Sequence, residues 1–173
     1  MKQFLFSFIL TCLLSACTVG SVYRVYQGER LPALAIATLE GSQFLRQDWL
    51  NRYTDAVRFA QVDDIAIENS VAYNRLELAP GFHDVTVYFY WDMGSARGMA
   101  PALVSYAVSR DSMSRRMRFN ARAGEFYRVM AEPHFTGSRQ DITTLTHVDF
   151  WIVDRDGNEI VTREAGCFIP EVD

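Results

Sequence analysis

Histidine and serine are the side chains best suited to catalysis or metal binding, and the chain has only three histidines. His83, His134 and His147 lie far apart, and no two have the close spacing typical of a metal site on one helix or hairpin. Residues 94–98 (Gly-Ser-Ala-Arg-Gly) do not carry serine at the central position that a nucleophile elbow requires. The sequence therefore predicts no catalytic residue, no metal site and no cofactor, and a site assembled from distant segments stays open as the alternative.

Two acidic pairs have a spacing that could hold a cation. Asp63 is followed by Asp64, and Asp154 and Asp156 flank Arg155. Aspartate in a turn commonly accepts hydrogen bonds from nearby backbone N–H groups. We interpret both pairs as turn residues.

The basic side chains are all arginine after Lys2. Arg116, Arg118 and Arg122 fall on the outward face of one predicted strand, with Arg128 on what we take to be its neighbour. The planar guanidinium group binds carboxylate and phosphate groups with two parallel hydrogen bonds. These four arginines are a candidate site for an anionic partner, and a solvated strand face paired with Asp and Glu is the alternative.

Alternating apolar and polar residues indicate the strands that would carry these side chains. The clearest run is residues 85–91, and in residues 115–121 Met117, Phe119 and Ala121 point inward. Asp156-Gly157 predicts a hairpin turn between residues 148–153 and 159–162. Eight or nine short strands indicate a mainly β fold, an antiparallel β-sandwich or a partly open barrel.

One segment near the N-terminal end has a different period. Leu45, Trp49, Tyr53 and Val57 recur every four residues among polar ones, which is typical of one face of a helix. We therefore predict one short amphipathic helix from Gly41 to about Ala60, inserted into the β fold.

The first residues have the layout of a secretory signal. Lys2 precedes an apolar run over residues 4–14, which is much shorter than the roughly 20 residues that span a bilayer. Small residues follow the run, as they do where such signals are cleaved.

Leu14-Ser15-Ala16-Cys17 resembles the lipobox of bacterial lipoproteins. The resemblance implies cleavage before Cys17 and attachment of acyl chains, palmitate among them, to Cys17. Thr18 in place of aspartate implies sorting to the outer membrane, with the protein facing the periplasm. We expect a signal peptide over residues 1–16, a lipidated Cys and tether over 17–32, and a single β-sandwich domain over 33–173.

Loss of the signal peptide changes the charge and the cysteine content. The whole chain has 17 Lys and Arg against 21 Asp and Glu, and removal of Lys2 changes the net charge from -4 to -5. This acidic balance argues against bulk nucleic-acid binding. Cys167 is then the single cysteine without lipid, and we expect a buried apolar residue, with a disulfide between chains as the alternative.

A second resemblance covers roughly residues 26–129. It is carried by five motifs: Tyr26-x-Gly28-x-x-Leu31-Pro32, Ala37-x-Leu39, Ile65-x-Ile67, Leu76-x-Leu78-x-Pro80-Gly81-x-His83-x-Val85-x-Val87, and Phe119-x-Ala121-x-Ala123-Gly124-x-x-Tyr127. Together they resemble small, mostly uncharacterised envelope lipoproteins of proteobacteria. Residues 80–87 alone are similar to PEGA-type β-sandwich modules. The resemblance implies a fold and brings no catalytic or ligand-binding residue.

These observations favour a lipid-anchored protein of the bacterial cell envelope. We expect a non-enzymatic binding or accessory module, held to the membrane through lipid on Cys17. Its partner would be an envelope protein or an anionic envelope component. A small hydrolase or a metal-binding envelope protein, with a site not visible in the sequence, is the alternative.

Overall fold

The computed structural model describes residues 21–47, 52–92, 113–139 and 141–163. These residues form eleven strands: β1 (Ser21–Arg24), β2 (Ala37–Gly41), β3 (Gln43–Gln47), β4 (Arg52–Val62), β5 (Ile65–Ala66), β6 (Tyr73–Leu78), β7 (Gly81–Asp92), β8 (Ser114–Ala121), β9 (Phe126–Phe135), β10 (Leu145–Asp154) and β11 (Glu159–Val161). Short 3₁₀ turns lie at Ala33–Ala35, Ser70–Ala72 and Ile142–Thr144, and the described ranges contain no α-helix of seven or more residues. The prediction of a mainly β fold is confirmed.

The strands form two sheets. The first has six strands in the order β1-β6-β2-β9-β10-β11, and the second has five, in the order β3-β4-β7-β8 with β5 paired to β4. The five-stranded sheet is antiparallel, whereas β1 runs parallel to β6 and β2 runs parallel to β9 in the other. The prediction of a wholly antiparallel fold is therefore wrong, because alternation reveals the faces of a strand but not its direction.

One apolar core contains side chains from both sheets. On β7 the predicted alternation holds, since Val85, Val87, Phe89 and Trp91 are all buried. On β8 Met117, Phe119 and Ala121 are also buried, as predicted. The six-stranded sheet contributes an equally buried set: Ala37, Leu39, Leu76, Leu78, Tyr127, Val129, Phe150 and Ile152.

The prediction of an amphipathic helix is wrong, because the described residues of this segment form β3 and β4. A spacing of four residues is one helical turn, but it is also twice the two-residue period of a strand. A helix and a strand can therefore both produce this four-residue spacing. Within β4 the shorter period is visible, since Val57 and Phe59 point into the core while Arg58 points to the other face.

The chain passes from one sheet to the other at Gly41 and Ser42. The Ser42 N–H donates to the Val129 carbonyl in β9 (2.9 Å), and the Ser42 carbonyl accepts from the Val57 N–H in β4 (2.9 Å). A Cβ atom on Gly41 would lie 2.4 Å from the Val57 carbonyl oxygen. Glycine at residue 41 therefore permits this close approach of the two sheets.

The acidic pairs lie in turns. Asp63 and Asp64 have φ values of 48° and 65° between β4 and β5, in the left-handed region that aspartate tolerates. The Asp154 carboxylate accepts hydrogen bonds from the N–H groups of Asp156 and Asn158. The interpretation of Asp154 as a turn residue is confirmed.

Part of the segment expected to be a tether is a strand. Residues 21–24 form β1, and Val25 continues its pairing by donating its N–H to the Glu77 carbonyl (3.0 Å). Residues 104–108, with Tyr106, are also predicted as a strand from their apolar residues, and they lie outside the described residues. So does Cys167.

Candidate binding cleft

A cleft of about 510 Å³ opens between the two sheets, at the point where β3 and β4 face the later part of β9. Its wall is mostly apolar: Phe44, Leu45, Ala56, Val57, Phe89, Ala131 and Pro133. Val57 and Phe89 belong to the buried core, so the cleft is where the space between the sheets becomes accessible.

Two large apolar side chains remain exposed beside this cleft. Phe44 is 51% exposed and Leu45 is 54% exposed, although both belong to β3. β3 pairs with β4 and forms one end of the five-stranded sheet among the described strands. Exposed apolar residues next to a strand edge are typical of surfaces that bind another chain.

A buried hydroxyl group lies beside the cleft. Ser42 is 5% exposed, and its Oγ atom has no hydrogen-bond partner among the described residues. Buried polar atoms are normally paired, and leaving one unpaired costs about 1–3 kcal/mol. The oxygen has almost no accessible surface, so the hydroxyl belongs to the packed joint between the two sheets and is not open to the cleft. Nothing in the sequence around Ser42 indicates this burial.

Charged groups stand at the rim and wall of the cleft. The Asp55 side chain is buried in the wall, and Glu132 and Arg139 complete the lining. Glu132 also pairs with Arg163, whose guanidinium carbon lies 3.9 Å from the centre of the Trp151 ring. The cleft therefore combines an apolar wall with groups of both charges.

Arg58 supports β3 from behind the cleft. Its guanidinium donates to the Val57 carbonyl (3.2 Å) and to Gln43 Oε1 (3.4 Å), and it lies 5.3 Å from the centre of the Tyr90 ring. Burial lowers the pKa of Arg58, and the neighbouring Tyr88 and Tyr90 partly offset this effect. The contact with Gln43 holds the first residue of β3 against β4.

Three of the predicted anion-binding arginines are exposed along and just beyond β8. Arg116 forms ion pairs with Asp64 (3.1 Å) and Asp84 (3.0 Å), and its hydrogen bond to Asp84 is the main reason that its pKa is raised. Arg118 and Arg122 are also exposed. The Arg118 guanidinium carbon lies 5.5 Å from the centre of the Phe82 ring. Arg116 is therefore already balanced by two carboxylates.

Arg128 does not join this row. It lies on β9 in the six-stranded sheet, whereas β8 belongs to the five-stranded sheet. There its guanidinium nitrogen lies 3.9 Å from a Glu40 carboxylate oxygen, and the guanidinium group lies over the Phe126 ring. The prediction that Arg128 is on the strand next to Arg116 is wrong, because sequence alternation does not show which strands are neighbours.

His83 is held by two acceptors at the start of β7. Nε2 donates to the Ala79 carbonyl (2.7 Å), and Nδ1 lies 2.6 Å from Asp63 Oδ2. Burial by itself would raise the pKa of Asp63, but the hydrogen bonds from the Asp84 N–H and from His83 hold it below its usual value. These contacts tie the β4–β5 turn to β7.

The predicted lipidation site, Cys17, lies outside the described residues. Among the residues that are described, no helix is long and apolar enough to cross a membrane.

Comparisons with protein-family models, with curated proteins and with solved structures found no match to this chain.

Proposed function

We propose that this protein is a lipid-anchored β-sandwich of the bacterial outer membrane that faces the periplasm and acts by binding, without catalysis. The support for the anchor is the apolar run followed directly by Leu14-Ser15-Ala16-Cys17. Several acyl chains, each contributing about 0.8 kcal/mol per buried CH₂ group, would hold the protein at the membrane. Its binding surface then meets partners within reach of the membrane.

The partner that the cleft supports best is an extended apolar segment of another envelope protein. The observation that carries this proposal is the pair of exposed apolar side chains, Phe44 and Leu45, on the end strand β3 beside an apolar cleft. An added strand could pair with the backbone of β3 and place one apolar side chain beside Phe44 and the next beside Leu45 on the opposite face.

Site-specific photo-crosslinking in living cells tests this proposal. A photoreactive phenylalanine at residue 44 should cross-link to one envelope protein, and mass spectrometry should place the cross-link in an extended apolar segment. The same group at Ile160, an exposed residue of β11 in the other sheet, is the matched control. Leu45→Glu should remove the cross-link from residue 44. No cross-link at residue 44, or equal cross-linking at both positions, would contradict the proposal.

An anionic envelope component is the second candidate partner. Arg118 and Arg122 are exposed, and Arg118 faces an aromatic ring. Retention of the protein on acidic envelope polymers should decrease in the Arg118→Gln/Arg122→Gln variant and change little in Arg116→Gln, because Arg116 is paired with Asp64 and Asp84. Equal losses in both variants would refute a role for these two residues.

A further inference from the structure

Two histidines that are distant in sequence meet on the outer face of the six-stranded sheet. His134 on β9 pairs directly with His147 on β10, and Asp149 follows on the same face of β10. The two imidazole rings are stacked, with centres 4.3 Å apart and planes 5° apart. His134 Nε2 donates to Asp149 Oδ2 (3.0 Å). One potential ligand atom from each of the three side chains lies within 4.8 Å of the others.

Thr146 orients the second histidine. Its hydroxyl donates to the His134 carbonyl (3.0 Å), and its oxygen lies 3.1 Å from His147 Nδ1. A hydroxyl group has one proton, so the oxygen accepts the Nδ1–H of His147. This leaves the lone pair of His147 Nε2 available. A hydrogen bond to the other ring nitrogen is how proteins commonly set the tautomer of a metal-binding histidine.

We propose that His134, His147 and Asp149 bind a divalent transition-metal ion, with Zn²⁺ as the ion that best fits two imidazoles and one carboxylate. Open zinc sites have three protein ligands with bonds of about 2.0–2.2 Å and a fourth position for water or another ligand. Tetrahedral geometry at these bond lengths places ligand atoms roughly 3.3 Å apart. His134 Nε2 and Asp149 Oδ2 are 3.0 Å apart, which is already close to this separation.

Small side-chain rotations would complete the site, and the ion would displace the His134 Nε2 proton to solvent. The His134 side chain is 40% exposed and that of Asp149 is 20% exposed, so neither is fixed by surrounding core atoms. The pairing of β9 with β10 has an irregularity between Leu145 and His147. A bound ion would join the two strands at this point and present its fourth position to solvent. This inference does not depend on the proposed function.

Calorimetric titration with Zn²⁺ tests the site. The full chain, purified in mild detergent with its thiols blocked, should bind one ion. His134→Asn, His147→Asn and Asp149→Asn should each weaken binding at least tenfold. Thr146→Val, which removes a group that orients a ligand, should weaken it about 10–100-fold. Glu125→Gln, a change at an exposed carboxylate, is the control and should not change the affinity.

Two further measurements separate metal binding from a loss of structure. All variants should melt at the temperature of the unchanged chain in EDTA, and Zn²⁺ should raise the melting temperature of the unchanged chain but not of His147→Asn. Co²⁺ in place of Zn²⁺ should give visible bands without thiolate charge-transfer absorption. The proposal is overturned if binding is not saturable up to millimolar Zn²⁺, or if the histidine variants bind as tightly as the unchanged chain.

Discussion

Replacing Gly41 with alanine tests the joint between the two sheets. The new Cβ atom would lie 2.4 Å from the Val57 carbonyl oxygen and 3.3 Å from Val57 Cβ. Real Cβ contacts are almost never shorter than 3.0 Å, so the strands must separate by about 0.6 Å or more. The opposing atom belongs to the backbone and cannot turn aside.

The expected loss of stability follows from what this separation would disturb. Both hydrogen bonds of the Ser42 backbone, to Val129 and from Val57, are at the joint. Weakening each of these two bonds should lower the free energy of unfolding by about 0.5–1.5 kcal/mol. Forcing an extra methyl group into a packed site costs about 1–3 kcal/mol. We expect Gly41→Ala to lose about 2–6 kcal/mol, equivalent to a decrease of roughly 4–24 °C in melting temperature.

Urea denaturation followed by circular dichroism measures this loss. Gly137→Ala is the matched control, because its Cβ would meet the Thr144 side chain at 2.9 Å rather than a backbone atom. The half-buried Thr144 side chain can shift more easily than a backbone carbonyl, so we expect the control to lose about 1 kcal/mol or less. Equal stability of Gly41→Ala and the unchanged chain would refute the close packing of β2 against β4.

Three other changes test the acidic turn, the anchor and the core. Asp63→Asn keeps the left-handed backbone but removes the charge. It should lower the free energy of unfolding at neutral pH by only about 1 kcal/mol, because solvent partly screens the carboxylate. Since folding lowers the pKa of Asp63, this stabilisation is present above the usual value of 3.8 and is lost as the pH falls below it, so urea curves of the two proteins should converge in acid. Cys17→Ala should abolish labelling by radioactive palmitate and release the protein from membranes or leave an uncleaved precursor. Unchanged attachment of the Cys17→Ala variant to membranes would refute the lipoprotein proposal. Phe59→Ala, at a fully buried position of β4, should lose about 3–5 kcal/mol in urea denaturation, and a loss below 1 kcal/mol would contradict its place in the core.

Local alternation was enough to predict several strands. The buried faces of β7 and β8 and the hairpin of β10 and β11 agree with the sequence pattern. Alternation failed for β3 and β4, where a spacing of four residues resembled a helix. It also failed for Arg128, because the sheet to which a strand belongs depends on distant pairing.

The histidine pair was missed for a related reason. Alternation predicts strands over residues 126–131 and 148–153, so both His134 and His147 lie outside the predicted strands. Proline normally interrupts a strand, yet Pro133 lies within β9. It is tolerated there because β2 pairs only with residues 126–129, so one side of β9 has no neighbouring strand at residue 133 among those described. Longer strands would have placed the histidines near one another.

No pattern in the sequence predicts the cleft between the two sheets or the burial of Ser42 beside it. Serine is common in connections between strands, and its burial results from the passage of the chain between two sheets at residues 41 and 42. That passage depends on the packing of β2 against β9 and of β3 against β4. Neither pairing can be inferred from residues next to Ser42.

The parallel pairing of β2 with β9 has a consequence for the rate of folding. Thr38 lies beside Phe126, so the centre of the six-stranded sheet cannot form until most of the chain is available. Proteins dominated by such distant contacts fold in milliseconds to seconds, because the entropy of closing long loops is lost before the contacts form. An exported chain must remain unfolded while it crosses the inner membrane. A fold completed by its later strands would help to keep this chain unfolded during the export that we propose.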